Sequence, residues 1–551
     1  MSTPALDCAP PTRGARFARI AAPAPGQPAL AVLPGTPAES GAAVRAALPL
    51  VLIALTLMGP VSFFRWAMWH GAYTPDFPWL WRAGQYILES GELPVADIFS
   101  WTFAGRPWVL YQWLFEVAIA KTEQWVGMRG LFAVYAGVAL TIYLVAPFTG
   151  AVPRRVSPLT VAPIAALGLL VVLVNLSLRP MIVTAALLLV QYMALQRLRC
   201  GRSGLWTTAL LLAPVYALWG NMHTGVVLGL ASLALAAVGD LAERRGLYSF
   251  DPVDPQIEGR PLPWPRYLLL LTVAFLASLL NPYGVGIYDY IVDLSSESFL
   301  NDAIVELASP DFHRPQFLCY LVFVATFAAL LTRAGRCLSA GDLLHLVVFT
   351  FATFYAARFV VWSVLFFVLI LPRALHHVSA GGSGSGAAAG AGLLSGLRAG
   401  AMRATVAVVS FLPSSGLWLA PSETPFGGAC APLLPAIAAY ADLKRPEDRL
   451  FNDAVAGSCL LAQDPAQKVF IDTRFDFYGA DFVAETTRAL MLRPGWDRTL
   501  ARWRIDTALL GRKWPLAQAL EADPGFAVLF DDGQALVLRR RPAEPTTHPD
   551  R

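Results

Sequence analysis

Long apolar runs separated by short polar connections dominate this chain. Runs lie near residues 46–67, 129–147, 158–176, 180–196, 205–219, 222–240, 265–280, 316–332, 342–357, 359–375 and 400–416. Each approaches the ~20 residues that a helix needs to cross a bilayer. The pattern predicts about eleven transmembrane helices, a few short enough to tilt or break. Three regions depart from it. Residues 70–115 form a long first loop, 378–396 form a Gly/Ser/Ala linker, and 418–541 mix polar and apolar positions. Within the last, 468–472 (KVFID), 507–510 (TALL), 526–530 and 535–539 read as strands, the final two joined at Asp532-Gly533. The predicted architecture is an α-helical polytopic membrane domain over 45–417, followed by a small α/β domain over 418–541. Residues 1–44 and 542–551 read as disordered tails.

Composition agrees with the pattern. Of 551 residues, 56% are hydrophobic and 15% charged, where a soluble chain carries about a quarter charged residues. That excludes a soluble enzyme and a disordered protein. The net charge of +4 comes from 42 basic and 38 acidic residues in scattered groups, with no basic stripe for nucleic acid. Arg154/Arg155, Arg197/Arg199/Arg202, Arg244/Arg245, Arg333/Arg336 and Arg373 with Arg398/Arg403 fall in alternate loops. The positive-inside rule then makes the N-terminus cytoplasmic and the α/β domain extracytoplasmic. Residues 1–44 lack the apolar core of a signal peptide. The six cysteines show no zinc spacing. Cys430 and Cys459 fall outside, where a disulfide and two buried thiols are both open; Cys8, Cys200 and Cys337 fall inside and should stay reduced.

Polar residues at the borders of the apolar runs carry the candidate chemistry. Asp76, Asp97, Arg179, Asn221, His223, Asn281, Glu306 and Arg358 all fall at the outer face of this topology. Ionisable groups at membrane depth cost a few kcal/mol, which makes them functional candidates. Asp76 and Asp97 sit in the Trp-rich first loop, each either capping an interfacial helix or taking a proton from an acceptor hydroxyl. Arg179 and Arg358 suit a phosphate, because the guanidinium fork donates two bonds, or else anchor helix ends at the interface. His223 either reaches that phosphate or is satisfied beside Asn221, and Asn281-Pro282-Tyr283-Gly284 reads as a helix stop. Glu306 is a second acid, pairing an arginine or joining Asp76 around a divalent cation. Asp472 and Arg474, with Asp476 and Tyr478 nearby, either form part of a site or hold the tail domain together.

The same residues carry a resemblance. Asp76, Trp79 and Trp81 are followed by G-x-x-I-L-x-x-G-x-x-P-x-x-D-x-F-S over Gly84–Ser100 and by Gly105-Arg106-Pro107-Trp108. Arg179-Pro180, Trp219-x-Asn221-x-His223, Asn281–Gly284, Glu306 before Ser309-Pro310-Asp311-Phe312, Arg358, and FIDTRFDFYG over Phe470–Gly479 complete the set. This resembles bacterial membrane proteins of the GT-C glycosyltransferase type over about residues 45–540. The resemblance implies a GT-C-like fold and an outer-face site using a polyprenyl-phosphate-linked sugar. It implies inversion at the anomeric carbon and a catalytic acid at Asp76. The chain departs from better-known members in carrying Phe77 where several have a second acid, and it lacks oligosaccharyltransferase motifs.

The expected function is therefore an integral membrane glycosyltransferase of a bacterial inner membrane. Its expected partners are the lipid-linked sugar, membrane lipid and envelope-assembly proteins, without nucleic acid. A non-catalytic scaffold or glycan-binding subunit in envelope polysaccharide assembly is the alternative. A transporter is less favoured, because the inner face lacks matching polar intrusions and no GxxxxGK[ST] loop occurs.

Overall fold

The computed structural model describes residues 74–149, 167–169, 171–172, 177–250, 259–296, 304–334, 338–380 and 430–542. The expected spans at 46–67 and 400–416, most of that at 158–176, the N-terminal tail and nearly all of the linker and C-terminal tail lie outside these residues.

The remaining apolar runs are helices. They are α2 (Trp113–Thr149), α3 (Met181–Arg199), α4 (Leu205–Met222), α5 (Val226–Arg244), α6 (Trp264–Ser278), α8 (Pro315–Ala334), α9 (Ala340–Tyr355) and α10 (Val360–Ala380). Two further helices belong to the connections, α1 (Phe77–Ser90) and α7 (Gly286–Ser296). Among the described residues, Trp113–Tyr143, Met181–Arg199 and Val226–Arg244 are long and apolar enough to cross a membrane. The outward faces stay apolar, with Trp206, Leu210, Phe351 and Tyr355 all exposed, as suits contact with lipid. By contrast α10 is hydrophobic all round and buried from Val360 to Leu371, so it serves as the central post of the bundle. It packs on α2, α3, α8 and α9.

α1 is amphipathic and buries Phe77, Trp79, Leu80, Ala83 and Gly84, packing on α2. Gly84 has a steric reason: a Cβ there would stand 2.0 Å from the Glu116 carbonyl oxygen. Its backbone approach fixes how the first loop leaves the bundle. The loop then folds back on itself, Asp97 N–H bonding the Arg106 carbonyl and Trp108 N–H that of Val95.

The tail domain holds a four-stranded sheet in the order β1-β2-β4-β3. β1 (Leu450–Asn452) and β2 (Thr507–Gly511) are parallel; β4 (Ala535–Arg540) pairs antiparallel with β2 and with β3 (Phe526–Asp531). The hairpin turns at Gly533, at φ 81°. Cys430 and Cys459 form a disulfide, resolving the two readings of that pair.

One predicted strand departs. Residues 468–472 do not enter the sheet, and β1 takes the place beside β2. Instead Val469 bridges Ser100 of the first loop: Val469 N–H bonds the Phe99 carbonyl and Trp101 N–H bonds that of Val469, both at 3.0 Å. The alternating apolar pattern of KVFID is that of a strand, but its partner is the loop. The same seam carries Trp101 Nε1–H to the Leu450 carbonyl (3.1 Å), Thr102 hydroxyl to that of Phe470 (2.7 Å), and Thr473 hydroxyl to that of Pro75 (3.3 Å). Phe103 inserts among Phe477, Tyr478 and Phe482. The first loop and the tail domain are thus one packed layer at one end of the bundle.

Candidate functional site

Asp76 occupies the position just before α1, yet makes no capping bond to that helix. Its carboxylate points to Arg179, 2.6 Å from Nη2. Arg179 lies in the short connection before α3. The Tyr135 hydroxyl pins that connection, bonding the Ser177 (2.6 Å) and Arg179 (2.8 Å) carbonyls. The other end of the Arg179 fork meets Glu306, with Nη1 2.6 Å from Oε2 and also bonded to Oε1. Glu306 sits on a one-turn helix, Val305–Leu307. A second one-turn helix, Ala357–Phe359, is docked beside it by Ala357 N–H to the Ala308 carbonyl at 2.9 Å. It carries Arg358.

Arg358 differs from Arg179. Its charge is within electrostatic reach of Glu306, Tyr111, Arg179 and Asp76. Among the described residues, however, it makes no hydrogen bond or ion pair. A half-buried guanidinium without an anion leaves a place for one. The four residues Asp76, Arg179, Glu306 and Arg358 therefore meet, although four separate parts of the chain supply them.

The first loop and the tail add side chains that the sequence reading did not place here. Tyr111 lies within electrostatic reach of Asp476, Arg358, Glu116 and Asp76. Its ring packs on Tyr290 of α7 at 5.0 Å. The Tyr290 hydroxyl donates to Oδ2 of Asp476. Burial, and after it the Asp476 carboxylate, hold the Tyr111 phenol well above its ordinary range, so it stays a neutral hydroxyl. Burial likewise pushes the Asp476 carboxyl up, opposed by the bond from Tyr290.

Asp97, Asp472 and Arg474 form a separate cluster. Asp97 accepts from the N–H groups of Phe99 (3.1 Å) and Ser100 (3.0 Å) and from the Ser100 hydroxyl (2.5 Å). Arg474 Nη2 lies 2.8 Å from Asp97 and 2.6 Å from Asp472, with all three side chains at most 1% exposed. Tyr478 donates to Asp472 at 3.0 Å. The rings of Phe99, Trp108, Phe477 and Tyr478 enclose the guanidinium. Asp97 joins the loop to the tail through Arg474, and Asp472 holds that arginine from within the tail.

Asn221 and Asn281 serve the backbone. Asn221 accepts from Trp113 Nε1–H and donates to the Ala217 and Leu280 carbonyls, joining the ends of α4 and α6 to the start of α2. Asn281 closes its turn through Ser278, Tyr283 and Gly284, and the Tyr283 hydroxyl accepts from Leu110 N–H at 2.8 Å. His223 is buried, with Nδ1 accepting from Gly225 N–H (3.2 Å) and lying 2.7 Å from the Thr184 hydroxyl. That backbone donor leaves the proton of the neutral ring on Nε2. The ring is within electrostatic reach of Arg358.

Arg179 bonds both Asp76 and Glu306, the two acids considered for a divalent cation. Among the described residues no group of three or more His, Cys, Asp or Glu converges to hold a metal.

The polar groups are not confined to one end of the bundle, contrary to the sequence expectation. At the far end of α3, roughly 28 Å from Arg179 along the helix, Arg199 pairs with buried Asp240 at 2.9 Å. Asp240 also accepts from the Tyr267 hydroxyl and from Leu262 N–H, both at 2.7 Å. Asp342, His345 and Ser232 lie alongside, around a small cavity that Arg199 also lines. In sequence Arg199 counts among the basic loop residues and the others are not singled out.

No family model and no curated protein sequence matches the chain. Solved structures do. The oligosaccharyltransferase AglB of Archaeoglobus fulgidus, in complex with an inhibitory peptide and a dolichol-phosphate, superposes with a TM-score of 0.50 at 10% identity. That match covers 90% of this chain and 75% of AglB. ArnT of Cupriavidus metallidurans bound to undecaprenyl phosphate gives a TM-score of 0.44 at 14% identity, covering 89% and 97%. The second likeness is too slight to argue from. The first shows the fold: this is a polytopic integral membrane protein with a GT-C-like fold.

Proposed function

We propose that the chain is an integral membrane glycosyltransferase that moves a sugar from a polyprenyl-phosphate carrier to an acceptor hydroxyl at the outer face of the membrane. Arg358 carries the reading: among the described residues it is a cation with no hydrogen-bonded or ion-paired anion, within electrostatic reach of Glu306 and Asp76. A lipid phosphate supplies that anion. Arg179, 2.6 Å from Asp76, holds the acid next to the phosphate position. The donor phosphate competes with Asp76 for the Arg179 fork and so frees the carboxylate as a base.

In the reaction the acceptor oxygen attacks the anomeric carbon and the carbon–oxygen bond to phosphate breaks. The acceptor proton passes to Asp76, and the bonding pair leaves on the phosphate, where Arg358 stabilises the added charge. Attack opposite the leaving group inverts the anomeric centre. Glu306 keeps Arg179 in place. The cationic work is done by guanidinium groups and no step is routed through a metal.

The test uses the full chain in lipid nanodiscs with polyprenyl phosphate as probe. Arg358→Ala should weaken binding at least tenfold, while Asp76→Asn should retain binding. Equal binding by wild type and Arg358→Ala would sink the proposal. A non-catalytic lipid-phosphate-binding subunit is the second reading, favoured by one observation: Asp76 is already engaged by Arg179. It predicts that Asp76→Asn leaves function in cells unchanged.

A further inference from the structure

The tail domain reaches the site through one segment, Asp472–Tyr478. Arg474, held by Asp472, pairs with Asp97 of the first loop. Thr473 bonds the carbonyl of Pro75, the residue before Asp76. Two residues beyond Arg474, Asp476 lies within electrostatic reach of Asp76. The segment thus brings two acids, 400 positions apart in sequence, within electrostatic reach of each other.

Asp476 is half-satisfied. Its Oδ2 accepts from Tyr290; its other oxygen takes no hydrogen bond from another residue among the described residues. Tyr111 has a ring packed on Tyr290 and a hydroxyl with no hydrogen-bond partner among the described residues. A carboxylate oxygen, a free phenol and two tilted aromatic rings are the groups that hold a sugar. The oxygen accepts from its hydroxyls, and the rings cover its C–H face. The acid also rules out the alternative use. A carboxylate beside Asp76 repels a second phosphate, so this part of the site suits a neutral, hydroxyl-rich group.

Resting on the transfer reading above, we propose that Asp476, Tyr290 and Tyr111 hold the hydroxyls and one face of the transferred sugar, so that the tail domain sets sugar specificity. The anomeric carbon must lie between the phosphate on Arg358 and the base Asp76. Tyr111 is within electrostatic reach of both, and of Asp476. The sugar ring extends from that carbon toward Asp476.

The experiment measures binding of bare polyprenyl phosphate and of the same lipid carrying glucose, galactose or mannose to the full chain in nanodiscs. Wild type should hold at least one sugar-bearing lipid more tightly than the bare lipid. Asp476→Ala should erase that preference, about tenfold, and change bare-lipid binding less than twofold. Tyr290→Phe removes a single hydroxyl and should reduce the same preference, which keeps the test sound if Asp476→Ala folds poorly. Three results overturn the proposal: a wild-type protein indifferent to the sugar, a preference that survives both substitutions, or a loss shared equally by the bare lipid. If wild type and Arg358→Ala both ignore the bare lipid, it is the transfer reading that has failed.

Discussion

Two ionic clusters of this protein, one inside the seam of the first loop and the tail, the other between that loop and the helix connections, are built to opposite ends. In the Asp97–Arg474–Asp472 cluster, two acids share one arginine, every group is at most 1% exposed, and aromatic rings close the remaining sides. In the Asp76–Arg179–Glu306 cluster, two acids again share one arginine, but the acids are 25% and 41% exposed and a second arginine, Arg358, stands by with no hydrogen bond or ion pair among the described residues. The chemistry is the same. The difference is closure. A sealed cluster gains only cohesion, whereas an open one with a spare cation can exchange partners. Burial, more than residue type, separates a joint from a site.

The comparison can be broken by substitution, and the expected effects fall in order. The largest is on the open cluster: Asp76→Asn should lower sugar transfer by about 10²–10⁴-fold with unchanged thermal stability, read from lipid-product formation and a melting scan. Next is the sealed cluster. Arg474→Met leaves two buried carboxylates unpaired and should cost about 3–5 kcal/mol, read as a lowered melting midpoint and faster proteolysis of the tail. If Arg474→Met melts like wild type, the distinction between joint and site fails. Reduction of the Cys430–Cys459 bridge, which spans 29 residues, should cost about 3–4 kcal/mol of tail-domain stability, measured with and without reductant, and leave bare-lipid affinity untouched. The smallest expected effect is none: stripping divalent cations with chelator should leave polyprenyl-phosphate binding within twofold, since Arg179 stands between the two acids.

The helices were legible because the bilayer imposes a length and an apolar composition on each. The run read at 342–357 is Ala340–Tyr355, and that at 205–219 is Leu205–Met222. The border residues Asp76, Arg179, Glu306 and Arg358 stood out for a related reason, as charges where charge is costly. Less legible was anything that depends on who pairs with whom. KVFID has the alternation of a strand, and alternation does not say whether the partner is a sheet or a loop. Tyr290 and Asp476 are 186 positions apart, and nothing local to either announces the other. Asp97 looked like Asp76 in sequence, an acid in a Trp-rich loop; only the Ser100 turn and Arg474 separate them. Arg199 read as a basic loop residue and Asp240 did not stand out, because their burial comes from helices converging from distant parts of the chain.

The strand-like bridge between Val469 and Ser100 bears on how such proteins can be recombined. Grafting a tail from a relative onto this bundle would import new side chains opposite the old loop and mismatch the shared backbone bonds. Functional hybrids should need both pieces exchanged as a single cassette.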